Sequence, residues 1–202
     1  MKGGQIMNKI IEKKILNSAK NGVITSKIIT EMGIHRSALQ ELVAEGKIKM
    51  TSRGIYLLAD EWEDEYFLLQ QKYNRGIFSH STALYLHGFS DRVPLSFHMT
   101  FPAGYNSPSL KKENVIVTRV KETNYEEGII TLKTPFGNKV KVYDLERTLC
   151  DVMRGSNLDI ETVQSSMKAY SGYKNKDINR LLTYAKKLRV EPKIRKYLEV
   201  LL

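Results

Sequence analysis

The sequence predicts an α+β chain: a winged helix-turn-helix, then an α+β domain made of a small, mostly antiparallel sheet and a helical layer. Three observations carry this. Between Thr25 and Leu58, two short helical spacings of apolar residues flank a glycine and run into an alternating hairpin. Between Ser96 and Tyr143, four short stretches alternate apolar and polar residues as strands do. From Asp144 onward, apolar residues recur only at helical spacing. The expected division is residues 1–75 for the winged module with a connector helix, and 76–202 for the second domain with a basic helical end.

Each element follows from its residues. The first six residues, MKGGQI, fit no element, and Met7 is an alternative start. Asn8 to Lys20 places Ile10, Ile11, Ile15, Leu16 and Ala19 on one helical stripe, and Asn21-Gly22 is expected to end that helix. Thr25 or Ser26 caps the next helix. Gly33 supplies the positive φ that the turn needs. Ile28, Met32, Ile34, Leu39 and Leu42 are spaced to share one small core. Lys47 to Leu58 alternates as a hairpin, with Ser52-Arg53-Gly54 as its turn and Arg53 at the tip of the wing. Asp60 to Lys72 reads as a connector helix whose acidic first turn suits the helix dipole, with Trp62, Tyr66, Leu69 and Tyr73 at helical spacing.

In the second part, a short helix is expected from Ser79 or Ser81 to Gly88. Strands are expected at Ser96–Phe101, Val115–Val120, Ile129–Thr134 and Lys139–Tyr143, with a loop over Ala103–Glu113 and a hairpin turn at Pro135-Phe-Gly-Asn. Four helices follow: Leu145–Met153 with Asp144 as N-cap, Asp159–Tyr170, Lys176–Leu188, and Glu191–Leu202 with Pro192 in its first turn.

Charge is uneven. The chain of 202 residues carries a net +10. Residues 1–59 hold ten basic and four acidic residues, 60–167 twelve against fifteen, and 168–202 ten against three. Both ends are therefore basic and the middle is not. A basic winged module suits phosphate contact through counterion release. The basic end suits a second anionic partner, or is a solvated helix face. No apolar run approaches the roughly 20 residues of a membrane span, and no signal core precedes a cleavage site. The lone Cys150 lies in an apolar run and fits a buried thiol in a reducing, cytoplasmic setting.

Little in the sequence points to catalysis. His80 and His87 are too far apart for ligands on adjacent turns, and no metal-binding pattern completes them, so no metal and no cofactor are expected. Asp144, Glu146 and Asp151 cluster beside Arg147. A helix cap plus an i,i+4 ion pair accounts for most of that cluster. The enzymatic alternative, a metal-dependent nuclease or nucleotide-modifying antidote, uses these same carboxylates. No phosphate loop, nucleophile elbow or dinucleotide fingerprint is present.

Two segments carry a resemblance. Ser79–Pro94 contains His-Ser-x-Ala-Leu-x-Leu-His-Gly, and Tyr143–Asp151 contains Asp-Leu-Glu-Arg-Thr-Leu-Cys-Asp. With the winged module before them and a basic helical end after, the chain resembles the AbiEi family of bacterial antitoxins over nearly its whole length. The resemblance implies a repressor of its own toxin-antitoxin operon. It implies that the C-terminal domain counteracts an AbiEii-type nucleotidyltransferase toxin without a stable complex, in phage resistance by abortive infection. It implies no enzymatic activity.

On double-stranded DNA, the expected base-reading residues are His35, Arg36, Ser37 and Gln40. Arg53 is the expected minor-groove or phosphate contact, and Lys27, Lys47 and Lys49 are expected to contact phosphate. An inverted-repeat operator implies two copies on DNA, with a monomer in solution possible. For antitoxicity, charge clustering nominates Lys174, Lys176, Arg180, Lys186, Lys187 and Arg189. The remaining alternative is a ligand-responsive transcriptional regulator whose second domain holds an apolar pocket.

Overall fold

The computed structural model describes residues 8–155 and 160–201. The expectations for residues 1–7, for a helix start at Asp159 and for a helix end at Leu202 lie outside these residues. The chain folds as two compact units, Met1–Asn74 and Arg75–Leu202.

The first unit runs α1 (Lys9–Asn17), β1 (Val23–Thr25), α2 (Ser26–Glu31), α3 (Ser37–Ala44), β2 (Ile48–Ser52), β3 (Ile55–Leu58) and α4 (Glu65–Lys72). Asn8 caps α1 by accepting the Ile10 N–H at 2.9 Å. The helix stops earlier than expected, because Asn21 (φ 50°) and Gly22 (φ 76°) form a tight two-residue turn instead of a helix cap. Lys20 and Val23 exchange backbone hydrogen bonds across that turn, which launches β1, a strand the sequence reading lacked. The three strands pair antiparallel in the order β1-β3-β2.

The core of this unit is Ile15, Ile24, Ile29, Ala38, Leu39, Leu42, Ile48 and Tyr56. Two expectations shift here. Ile29, not Ile28 or Met32, is the fully buried residue of α2, since Thr25 caps the helix and sets its phase; Met32 is exposed. On α1, Ile15 is buried while Ile10 faces solvent. The connector helix is also shorter than expected. Asp64 caps α4 by accepting the Phe67 N–H at 3.1 Å, so Asp60 to Glu63 precede the helix, and Trp62 is 83% exposed.

The second unit is a sheet backed by helices. Its elements are β4 (Ile77–Phe78), α5 (His80–Leu86), β5 (Phe97–Pro102), a 3-10 turn (Pro108–Lys112), β6 (Val115–Val120), α6 (Glu122–Tyr125), β7 (Ile129–Lys133), β8 (Lys139–Tyr143), α7 (Leu145–Arg154), α8 (Ile160–Ser171), α9 (Ile178–Lys187) and α10 (Glu191–Leu201). The five strands lie in the order β6-β5-β4-β8-β7. The sheet is mixed, not mostly antiparallel. β4 pairs antiparallel with β5 but parallel with β8, and β5 pairs parallel with β6. The cause is β4, a two-residue buried strand at the centre that no alternation could reveal. Only β7 and β8 form the expected hairpin.

α7 is the hub of the helical layer and contacts α5, α8, α9 and α10. Every residue from Leu145 to Met153 is buried. Its apolar side chains join Leu84, Met167, Tyr170, Leu181, Ala185, Leu188 and Ile194 in one core. Cys150 belongs to this core, and burial pushes its thiol well above the ordinary range, as befits a structural cysteine.

Candidate nucleic-acid interface

The turn between α2 and α3 positions the first candidate side chains. Gly33 sits at φ 72°, and a Cβ there would meet nothing within 4 Å. The backbone conformation alone therefore asks for glycine. α3 then opens without an ordinary cap, since Arg36 holds the N-cap position in a helical conformation and its side chain makes no capping bond. His35 supplies the acceptor. The Ser37 N–H donates to His35 Nδ1 at 3.3 Å, and Ser37 Oγ lies 2.9 Å from the same nitrogen.

Arg36 is tethered as well. Its Nε donates to Thr30 Oγ1 at 3.1 Å, and the Thr30 hydroxyl donates to the Ser26 carbonyl at 2.8 Å. Arg36 forms no ion pair among the described residues, and its terminal guanidinium nitrogens have no protein partner there. Gln40, one turn further on, is exposed. The sequence reading singled out His35, Arg36, Ser37 and Gln40 but missed Thr30. Its clamp on Arg36 crosses the turn between two helices, and no spacing rule announces such a contact.

The wing is the β2–β3 hairpin, with Arg53 and Gly54 (φ 79°) at its turn and a register shift between Met50 and Ser52. The Ser26 N–H donates to the Gly54 carbonyl at 2.8 Å, which ties the wing to the start of α2. Arg53 is exposed and makes no ion pair among the described residues. The three lysines differ from it. Lys27 lies 3.9 Å from Glu31, Lys49 lies 3.2 Å from Glu63, and Lys47 pairs with Glu12 and, at 2.9 Å, with Glu45. Hydrogen bonds that the Lys47 ammonium donates to Glu12 and then to Glu45 hold it above its ordinary pKa. A phosphate reaching these lysines competes with carboxylates, mildly, because exposed ion pairs contribute little.

The basic end of the second unit divides in the same way. Arg180 Nε lies 3.5 Å from Asp177, and its NH1 lies 4.0 Å from Asp144. Lys187 pairs with Glu127. Lys176 reaches the Tyr173 carbonyl at 3.5 Å. Lys174, Lys186 and Arg189 form no ion pair among the described residues, and all three are exposed.

The carboxylates near Arg147 are absorbed by packing. Asp144 caps α7 by accepting the Arg147 N–H at 2.8 Å, and it also accepts the Tyr184 hydroxyl at 3.0 Å. Glu146 accepts the Tyr170 hydroxyl at 3.0 Å and the Asp177 N–H at 3.2 Å. Arg147 Nε donates to Asp151 at 3.0 Å, its NH1 donates to the Asn124 and Glu127 carbonyls, and it stacks on Tyr143. Arg147 is 1% exposed, so the i,i+4 pair read from the sequence as ordinary lies deep inside the unit. Burial pushes the Asp144 and Asp151 carboxyls up.

His80 and His98, distant in sequence, come together with ring centres 5.2 Å apart. Ser79 Oγ lies 3.0 Å from His80 Nδ1, and Ser81 Oγ lies 2.7 Å from His98 Nδ1. Burial pushes both imidazoles down to about 4. His87 is held elsewhere, on the Tyr143 carbonyl at 2.8 Å. Among the described residues no group of three or more His, Cys, Asp or Glu side chains is arranged to hold a metal ion. No described helix is long and apolar enough to cross a membrane.

Comparison with known proteins bears on the fold and on the winged module. One solved structure with a similar fold is the RV2827C protein from Mycobacterium tuberculosis, at 17% identity and a TM-score of 0.60, covering 88% of this chain and 70% of that one. At that identity the likeness speaks for the fold alone. No curated protein sequence matches the chain. Residues 14–59, from α1 to the end of the wing, match the family described as transcriptional regulator, AbiEi antitoxin. Over residues 14–59 the winged module of this chain is therefore similar to the transcriptional-regulator domain of AbiEi antitoxins.

Proposed function

We propose that the protein represses its own toxin-antitoxin operon through the winged module and counteracts a cognate nucleotidyltransferase toxin through the second unit. The observation that carries this reading is the match of residues 14–59 to an antitoxin regulator family, on a module whose α3 start and wing tip hold arginines free of carboxylate partners. His35, Arg36 and Gln40 meet base edges in the major groove, Arg53 meets the minor groove or a phosphate, and Lys27, Lys47 and Lys49 meet phosphates. Ser37 holds His35. Two copies occupy an inverted repeat. At the basic end of the second unit, Lys174, Lys186 and Arg189 are exposed cations without an ion pair among the described residues, with Lys176, Arg180 and Lys187 beside them, and they act on an anionic partner of the toxin pathway.

Co-expression with the neighbouring toxin gene tests both halves. The full chain should rescue growth. An Arg36→Ala/Arg53→Ala double variant should lose repression of a reporter under its own promoter yet still rescue. A Lys174→Glu/Lys186→Glu/Arg189→Glu variant should repress but fail to rescue. Rescue that survives these charge reversals would remove the second unit's cations from antitoxicity. No rescue by the full chain would sink the antitoxin reading.

A second reading has its own observation. A groove of about 520 Å³ lies among α7, α8 and α10, lined mainly by Val152, Met153, Val163 and Tyr197 with Lys193 and Lys196 at its rim. It suits a ligand-responsive regulator. That reading requires a small molecule that shifts operator affinity, and Val163→Trp should abolish the response.

A further inference from the structure

The start of α3 carries an inference about what the module reads, and it rests on the DNA-binding reading above. A backbone N–H donates only to a nitrogen with a free lone pair. The Ser37 N–H donates to His35 Nδ1, so that nitrogen is unprotonated. The Ser37 hydroxyl, 2.9 Å away, must then donate to it as well. The neutral ring consequently carries its proton on Nε2, and the imidazole presents a donor and no acceptor. The Ser37 hydroxyl is committed to this arrangement, which makes Ser37 a positioning residue and not a base reader.

Arg36 offers only donors by its chemistry. Thr30 occupies its Nε, which leaves the two terminal nitrogens as a fork of fixed origin. No acidic residue stands in the first turn of α3, so the acceptors on this helix, the Gln40 amide oxygen and the Glu41 carboxylate, come only after that start. Among the four base edges in a major groove, guanine alone sets two acceptors, N7 and O6, side by side; adenine and cytosine present an amino donor, and thymine a methyl beside its one acceptor. We propose that the start of α3 is a donor-only reader of guanine, with Arg36 and His35 making the base contacts and Thr30 and Ser37 holding them in place.

The test is selection from a randomised duplex pool with the full chain and its variants, alongside affinity for a random duplex across a salt series. The wild type should select guanine at one or two adjacent positions in each half-site. Thr30→Val removes the hydroxyl and keeps the branched shape. It should lower guanine discrimination at one position by about tenfold, the size of a good bidentate contact, while random-duplex affinity and its salt slope stay unchanged. Thr30→Ser should restore the preference, which a merely structural role for Thr30 would not require. His35→Ala should erase the guanine preference at the neighbouring position, and it serves if Thr30→Val fails to fold.

A selected motif without guanine at the affected positions would overturn the proposal. So would a Thr30→Val variant that weakens all duplexes equally, or one that changes nothing. A wild-type chain that binds neither the pool nor random duplex would overturn the DNA-binding reading itself, a result distinct from a changed motif.

Discussion

The two units bury their centres by opposite means. The winged module closes over eight mostly aliphatic residues from α1, β1, α2, α3, β2 and β3, and apart from the buried helix cap Asp64 its charges lie toward the surface, several of them in exposed pairs. The second unit is built around α7, a helix buried from Leu145 to Met153 that brings two carboxylates and an arginine into the interior with an N-cap aspartate before them. The difference teaches how to read a polar motif. Asp-Leu-Glu-Arg-Thr-Leu-Cys-Asp reads in sequence as a cap plus an ordinary ion pair, with catalysis only an alternative, and its ionised groups are spent on a cap, a tyrosine hydroxyl or a neighbouring charge. A helix this deeply surrounded has little solvent face on which to place polar residues, so they find partners inside, all but one terminal nitrogen of Arg147, which is buried without a hydrogen bond.

The largest expected effect breaks the network that distinguishes the second unit. Arg147→Ala leaves Asp151 as a buried charge without its partner and empties the space over Tyr143. It should cost about 3–5 kcal/mol in denaturant unfolding of the second unit, with operator binding by the winged module retained. Replacing both partners, Arg147→Met with Asp151→Leu, should recover most of that loss, because the orphaned charge rather than the missing attraction dominates. A double variant as unstable as the single one would mean that the network contributes net stability.

The counterpart in the winged module is a cavity. Leu39 is fully buried against residues that offer it only contact. Leu39→Ala should therefore cost about 3 kcal/mol through lost transfer energy plus the void, and the loss should be the same at pH 5 and pH 7.

Acid sharpens the contrast. His80 is buried, and desolvation first, then Arg147 and Arg154, lower it to about 4. The unfolded chain takes up a proton near 6.5 that the folded unit refuses until near 4. The second unit should thus lose stability as pH falls from about 6.5 to 4, by up to about 3 kcal/mol from this group. The raised Asp144 and Asp151 work the other way at lower pH, because the folded unit binds their protons more readily. His80 sits at φ 51°. His80→Asn tolerates that conformation and should flatten the decline between 6.5 and 5. A slope unchanged in this variant would assign the decline to other groups.

Legibility followed the same divide. The helix-turn-helix and wing are local objects, fixed by a cap at Thr25, positive-φ glycines and alternation, and the sequence displays all of these. The helix phase was off by one residue at Ile29 because α2 is only one and a half turns long, too short for spacing to settle its buried face. In the second unit the helices were legible but the sheet was not. A strand of two residues, Ile77 and Phe78, lies between partners distant in the chain, and its parallel pairing with Val142 leaves no trace in alternation. At the candidate interface, residue types were readable while their bonds were not. Nothing in the spacing tells that Thr30 holds Arg36 or that His35 caps its own helix.

The smallest effect probes the feature on which the sequence reading of the winged module depended. Gly33 has a positive φ with open space where a Cβ would point. Gly33→Ala should then cost only the left-handed backbone penalty, about 1–2 kcal/mol, with no steric surcharge. That cost falls on the turn that sets α3 against α2, and the Thr30–Arg36 bond spans the same turn. Operator discrimination should therefore fall together with stability in this variant. Gly33→Asn, which visits the same region more readily, should regain part of both. A Gly33→Ala protein that melts earlier yet reads its operator unchanged would separate the turn's structural role from its role in recognition.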